Sequence, residues 1–191
     1  MLPVKQDLAI VPGDTYRDTV RLMQPTLVYH PIQSISGAPA VLDVPGHGLA
    51  LDWPVWVRGV SGFAAINREP GRELPWLAER LSADSLRINP LSAAGGTPAG
   101  GQLVYRQPID LAGCSAWMNF TDSAGNALFA LKDDEGLAVD TFGLVTRALT
   151  PAQTERLTGA WRYSFGITFS DGAVTTYLTG GPAAGGCCNG C

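Results

Sequence analysis

The chain has 191 residues, of which 16% are charged, with 23 glycines, 14 prolines and a formal net charge of −4. Charge this far below the roughly 25% of an average soluble domain, with Gly and Pro still short of the ~25–30% that marks disorder, excludes a disordered chain, a coiled coil and a long-helix bundle. Only Lys5 and Lys132 are lysines, no basic run exists to displace counterions from a phosphate backbone, and no apolar stretch approaches a spanning helix, so neither nucleic acid nor membrane is an expected partner.

Met1–Asp7 lacks the basic and apolar segments of a signal peptide, so the chain is expected to be made in a cytoplasm and to leave it only within a larger particle. Gly13-Asp14 forms a turn, and Tyr16, Val20 and Leu22 share one face of a strand predicted to end near Pro25. Residues 33–102 differ in texture, with Gly/Pro-rich pieces at Ser36–Pro39 and Ala93–Gly101. Between them Ala40–Val44 and Pro54–Val60 read as strands around a Pro45-Gly46-His47-Gly48 turn. Leu74–Leu81 is predicted as a short helix, and Leu86–Ile88 and Leu103–Tyr105 as strands. The alternating apolar positions of this segment need a core of their own.

Downstream, Ala116–Thr121 and Ala127–Leu131 are strands joined by the turn Asp122–Asn126. The acidic turn Asp133-Asp134-Glu135-Gly136 follows, then extended segments at Leu137–Val139 and Leu144–Leu149. Thr150-Pro151-Ala152-Gln153 has the form of a capping box, which predicts about two turns of helix to Leu157, stopped by Gly159. Trp161, Tyr163, Phe165, Ile167 and Phe169 then alternate with Arg162, Ser164, Gly166 and Thr168. That period of two marks a strand with one buried aromatic face. A Ser170-Asp171-Gly172 turn returns it to a partner strand at Val174–Leu178.

Strands about ten residues apart with one short crossover helix indicate an all-β, immunoglobulin-like β-sandwich. It is expected to be discontinuous, built from residues 1–32 plus 103–180. Residues 33–102 are an inserted small β-barrel-like domain, and 181–191 a flexible Cys-rich tail.

The run Pro108-Ile109-Asp110-Leu111-Ala112-Gly113-Cys114, with Trp117–Phe120, Asp122–Asn126, Leu149–Thr154 and Gly159–Phe165, resembles the immunoglobulin-like N-terminal module of tailed-phage baseplate upper proteins. Gly13–Asp18 is similar to the first strand of that module. Ala38–Leu49, Val55–Gly62 and Ala83–Asn89 resemble the small β-domain of many phage tail proteins, itself similar to the first catalytic-cysteine half-domain of ubiquitin-activating enzymes. That second likeness implies no chemistry, because no cysteine lies between residues 33 and 102. Together the resemblances imply a structural protein of a tailed-phage virion, placed at the tail tip, baseplate or fibre-attachment point and assembled in the host cytoplasm. Its partners would be other phage structural proteins, copies of itself in a symmetric ring, and a fibre or receptor-binding protein.

Candidate sites are few. His47 follows Asp43 by four residues, but no nucleophile or metal signature accompanies it, so a hydrogen bond to a backbone carbonyl is expected. Asp133, Asp134 and Glu135 are adjacent in one turn, where a solvated role outweighs calcium or paired-carboxylate chemistry. The aromatic face of 161–169 reads as core and not as a sugar platform. Trp53, Trp56 and Trp76 are candidate interface anchors, since aromatics are enriched at interfaces. Cys187, Cys188 and Cys191, with Cys114 as a fourth ligand, are a candidate metal or iron–sulfur site. Disulfide exchange between tails and a free reactive tail stand beside that reading. No catalytic residue is assigned and no enzyme is expected. The rival readings are a capsid-decorating or neck protein of the same virion, and a carbohydrate-binding module for a host-surface glycan.

Overall fold

The computed structural model describes residues 2–183. Fifteen strands and one α-helix follow in chain order. The first eight strands are β1 (Val4–Lys5), β2 (Tyr16–Arg21), β3 (Met23–Pro31), β4 (Ser34–Ser36), β5 (Ala40–Asp43), β6 (Trp53–Arg58), β7 (Trp76–Arg80) and β8 (Ser85–Ile88). The remainder are β9 (Gln102–Pro108), β10 (Ser115–Asp122), β11 (Ala127–Asp133), β12 (Gly136–Asp140), β13 (Leu144–Leu149), α1 (Pro151–Thr154), β14 (Trp161–Thr168) and β15 (Val174–Gly180). The described residues are therefore all-β, with one short α-helix and a single 3-10 turn at Ala64–Ile66.

Two compact units are present, one of Met23–Ile109 and one made of the chain before and after it. The boundaries expected at 32/33 and 102/103 thus shift to Leu22/Met23 and Ile109/Asp110. The reason is pairing: β9 hydrogen-bonds both β3 and β6, which draws β3 and β9 into the sheet of the inserted unit.

In the outer unit the strands form one sheet in the order β1-β15-β14-β10-β11-β12-β13-β2. Three strands separate β13 from β14 in that order. Yet the guanidinium carbon of Arg147 on β13 lies 5.9 Å from the ring centre of Tyr163 and 5.6 Å from that of Phe165, both on β14. The sheet therefore folds over on itself and encloses Met118, Phe120, Leu131, Val145, Trp161, Phe165 and Ile167. The fold-over is made at the acidic turn, where β11 and β12 pair in parallel over Lys132↔Gly136 and Asp133↔Leu137. Asp134 takes φ 61° and Gly136 φ 95°. A Cβ on Gly136 would sit 2.8 Å from the Ala148 carbonyl oxygen, so only glycine lets the strands approach this closely.

The capping box forms as the sequence requires: the Thr150 N–H donates to Gln153 Oε1 at 2.8 Å, and the Gln153 N–H to Thr150 Oγ1 at 3.3 Å. The helix stops after one turn, at Thr154, instead of reaching Leu157. Arg156 and Leu157 bond three residues back, to Gln153 and Thr154, and the Thr154 hydroxyl is engaged by the Asp14 carbonyl at 2.8 Å. The tertiary contact tightens the chain into a turn that sends Leu157 into the core.

The inserted unit has the order β3-β9-β6-β7-β8-β5-β4. Its two end strands are separated in the chain only by Ile32 and Gln33. From Pro31 to Ser34 the chain takes three steps and spans at most ~11 Å, so the ends are held near each other and the sheet closes into a barrel. The seam shows it: the Ile32 N–H donates to Gly101 O on the β9 side at 3.1 Å, and the Gln33 N–H to Asp43 O on the β5 side at 2.8 Å. Trp53, Val55, Val57, Leu42, Leu86, Ile88 and Leu103 fill the barrel.

Two expected elements in this stretch differ. Leu74–Leu81 is not a helix; Pro75 disfavours helical backbone before it, and β7 instead pairs Trp76 with Val55 and Ala78 with Trp53. The strand expected to end near Pro25 ends at Arg21, and a second strand, β3, runs on through Pro25, which falls where the β3–β9 register shifts between Met23 and Leu27. A proline lacking an N–H is tolerated at such an irregularity.

Candidate functional site

Period-two alternation on β6 sends Trp53, Val55 and Val57 inward and Pro54, Trp56 and Arg58 outward. Trp53 is 1% exposed and its indole N–H donates to Arg106 O at 2.7 Å. It is a core residue and offers nothing to a partner, which corrects its assignment as an anchor. Trp56 is half-buried, its N–H bound to Glu73 O at 2.8 Å. Trp76 is also half-buried, with its N–H on Ile66 O at 2.9 Å and the Arg68 guanidinium carbon 3.1 Å above its ring. Arg68 also donates to Leu74 O at 2.7 Å, so the segment before β7 is tied down from both sides.

That segment and β7 carry the residues missed in the sequence. Leu74, Leu77 and Leu81 are 82%, 54% and 41% exposed. Leu77 stands across from Pro54. Around them the charges satisfy one another: Arg58 pairs with Glu69 at 3.0 Å, and the Glu79 carboxylate accepts from Arg87 and Asn89. The signal was present as Leu77-Glu79-Leu81, but reading it with a helical period hid the fact that a strand puts Leu77 and Leu81 on the outside.

His47 is fully buried. Its Nδ1 accepts the Leu49 N–H at 3.1 Å, and Nε2 lies 3.2 Å from Ser82 O, so the neutral Nε2–H tautomer satisfies both contacts. Burial holds its pKa below the ordinary imidazole value. The Tyr105 hydroxyl donates to the His47 carbonyl, and His30 stacks on the Tyr105 ring. The ring is a tie between the 44–49 loop and the β7–β8 turn, without the exposure that proton transfer to a substrate requires.

Asp133 Oδ1 accepts the Ala116 N–H at 3.0 Å, while Asp134 and Glu135 are exposed in the turn. Cys114 is half-buried, its Sγ 3.8 Å from Ala112 O. Cys187, Cys188 and Cys191 lie outside the described residues. Among the described residues no group of three or more His, Cys, Asp or Glu side chains is placed to hold a metal, and no helix is long and apolar enough to cross a membrane. Trp161, Tyr163, Phe165 and Ile167 all point into the core, as their alternation requires.

The chain thus belongs to the class of all-β proteins in which a small closed barrel is inserted into a folded-over sheet. No protein-family model, curated protein or solved structure matches it.

Proposed function

We propose that this chain is a structural protein of a tailed-bacteriophage virion, at the tail tip, baseplate or fibre-attachment point, and that it acts by protein–protein assembly and not by turnover. One observation carries the assembly reading: Leu74, Leu77 and Leu81 are exposed on a barrel whose own core is already filled. Several exposed leucines on and flanking one strand that also carries a half-buried tryptophan are the composition of a contact surface. The scarcity of lysine supports it, since lysine is depleted at interfaces. The particle is inferred from the resemblance of the 108–165 and 38–89 segments to tail and baseplate modules, and a symmetric ring would multiply individually weak contacts.

The test is fractionation of the intact particle. Mass spectrometry of separated heads and tails is expected to find the chain with tails; recovery with heads overturns the tail placement, and absence from both overturns the virion reading. A Leu74→Ser/Leu77→Ser/Leu81→Ser variant is expected to keep its unfolding midpoint, each surface change being worth ~0.5 kcal/mol or less. It should fail to incorporate. Normal incorporation would show that these leucines are not the contact.

A further inference from the structure

The outer face of the folded-over sheet carries a feature that assembly through the leucines does not use. Across the paired outward positions of β11, β10, β14 and β15, Lys132 stands beside Trp117, Trp117 beside Gly166, and Gly166 beside Thr176. The next outward row is Ala130, Asn119, Ser164 and Thr179. One large aromatic side chain thus sits in a field of hydroxyls, an amide and a cation.

Gly166 is what seats the ring. A Cβ at that position would fall 2.4 Å from Cζ2 and 2.8 Å from Cε2 of Trp117, so the indole lies over bare backbone and its other face is turned outward. The indole N–H is also available. Trp53, Trp56 and Trp76 each donate theirs to a backbone carbonyl, whereas that of Trp117 has no acceptor among the described residues. Beyond Ser164 and Thr179 the same face opens into a groove of about 780 Å³ whose lining includes Lys5, Asp7, Thr121 and Arg162.

We propose that this face binds a saccharide. A pyranose stacks the C–H face of its ring on the electron-rich face of Trp117. Asn119, Ser164, Thr176 and Lys132 meet its hydroxyls, and further sugar units run along β10 and β14 into the groove. From Trp117 to Thr121 the strand advances about 13 Å, the length of a short oligosaccharide.

Two other occupants fit less well. A single aromatic offers ~150–250 Å² of contact, far short of the ~800 Å² per side of a stable protein interface. Single-stranded nucleic acid would need a basic groove, and here Lys5 is paired with Asp7 at 3.3 Å. Covering Gly166 stabilises the sheet in any case, but that role uses neither the outward ring face nor the N–H. The site lies in the outer unit and the leucines in the inserted one, so this proposal and the assembly reading stand or fall separately.

The test is titration of the full-length, ¹⁵N-labelled chain with hexasaccharides of glucose, N-acetylglucosamine and galacturonic acid, following the indole N–H resonances. At least one sugar is expected to shift the Trp117 resonance saturably. Trp117→Ala should weaken that sugar's binding roughly tenfold or more, as loss of one stacking contact implies, and Trp117→Phe should restore part of it. Asn119→Ala leaves the sheet intact and should weaken binding on its own, so the outcome does not hang on the folding of Trp117→Ala. Overturning results are an unmoved Trp117 resonance with all three sugars, undiminished binding in both alanine variants, or a response to oligothymidine alone.

Discussion

Arg147 and Asp18 face each other directly across β13 and β2. The Arg147 side chain is fully buried and Asp18 is 26% exposed. Nε donates to Asp18 Oδ1 at 2.7 Å and Nη2 donates to Oδ2, while Nη1 has no partner among the described residues. The Tyr16 hydroxyl also donates to Oδ2, at 2.7 Å. These contacts make the two single removals unequal. Asp18→Ala strands a buried guanidinium, and breaking a buried pair this way costs about 3–5 kcal/mol. Arg147→Met leaves a carboxylate that still reaches solvent and keeps the Tyr16 hydroxyl, so about 2 kcal/mol is expected. Removing both charges in Asp18→Leu/Arg147→Met should return stability to within about 1 kcal/mol of the parent, because the desolvation penalty goes with the pair. Urea titrations with amide exchange read at β2 and β13 isolate the outer unit from the barrel. Losses below about 0.5 kcal/mol for both single variants would refute the reasoning. So would a double variant as unstable as Asp18→Ala.

Acid should loosen the barrel through His47. Its Nδ1 accepts a backbone N–H and its folded pKa is depressed by burial, so the unfolded chain takes up the proton first, near the ordinary value of about 6.5. The contribution is complete above that pH and is lost as pH falls below it through the folded value. Urea midpoints from neutral to mildly acid pH should fall more steeply for the parent than for His47→Gln, and parallel slopes would remove His47 from the account. Gly136→Ala adds a clash with Ala148 O to a positive φ and should cost about 2–3 kcal/mol. Gly125→Ala, with φ 89° but open space around it, should cost about 1 kcal/mol; equal losses in urea would contradict the close approach at the fold-over.

The elements with a strong local signature were legible in the chain itself. Strict alternation from Trp161 to Ile167 specifies a half-buried strand wherever it pairs, and Thr150 with Gln153 specifies a cap, because both depend on neighbours a few residues away. The Gly/Pro-rich texture likewise pointed to the all-β class. What the chain alone did not decide was which strands pair and which face of each is covered. Leu74–Leu81 carries leucines at spacings that suit a helix as well as a strand, and only the place of β7 between β6 and β8 resolved it and exposed Leu77 and Leu81. Trp53 and Trp117 look alike as letters. The barrel buries one, and the accident of a glycine across the strand lays the other open on the sheet, because register joins residues nearly fifty positions apart and burial is a property of that junction.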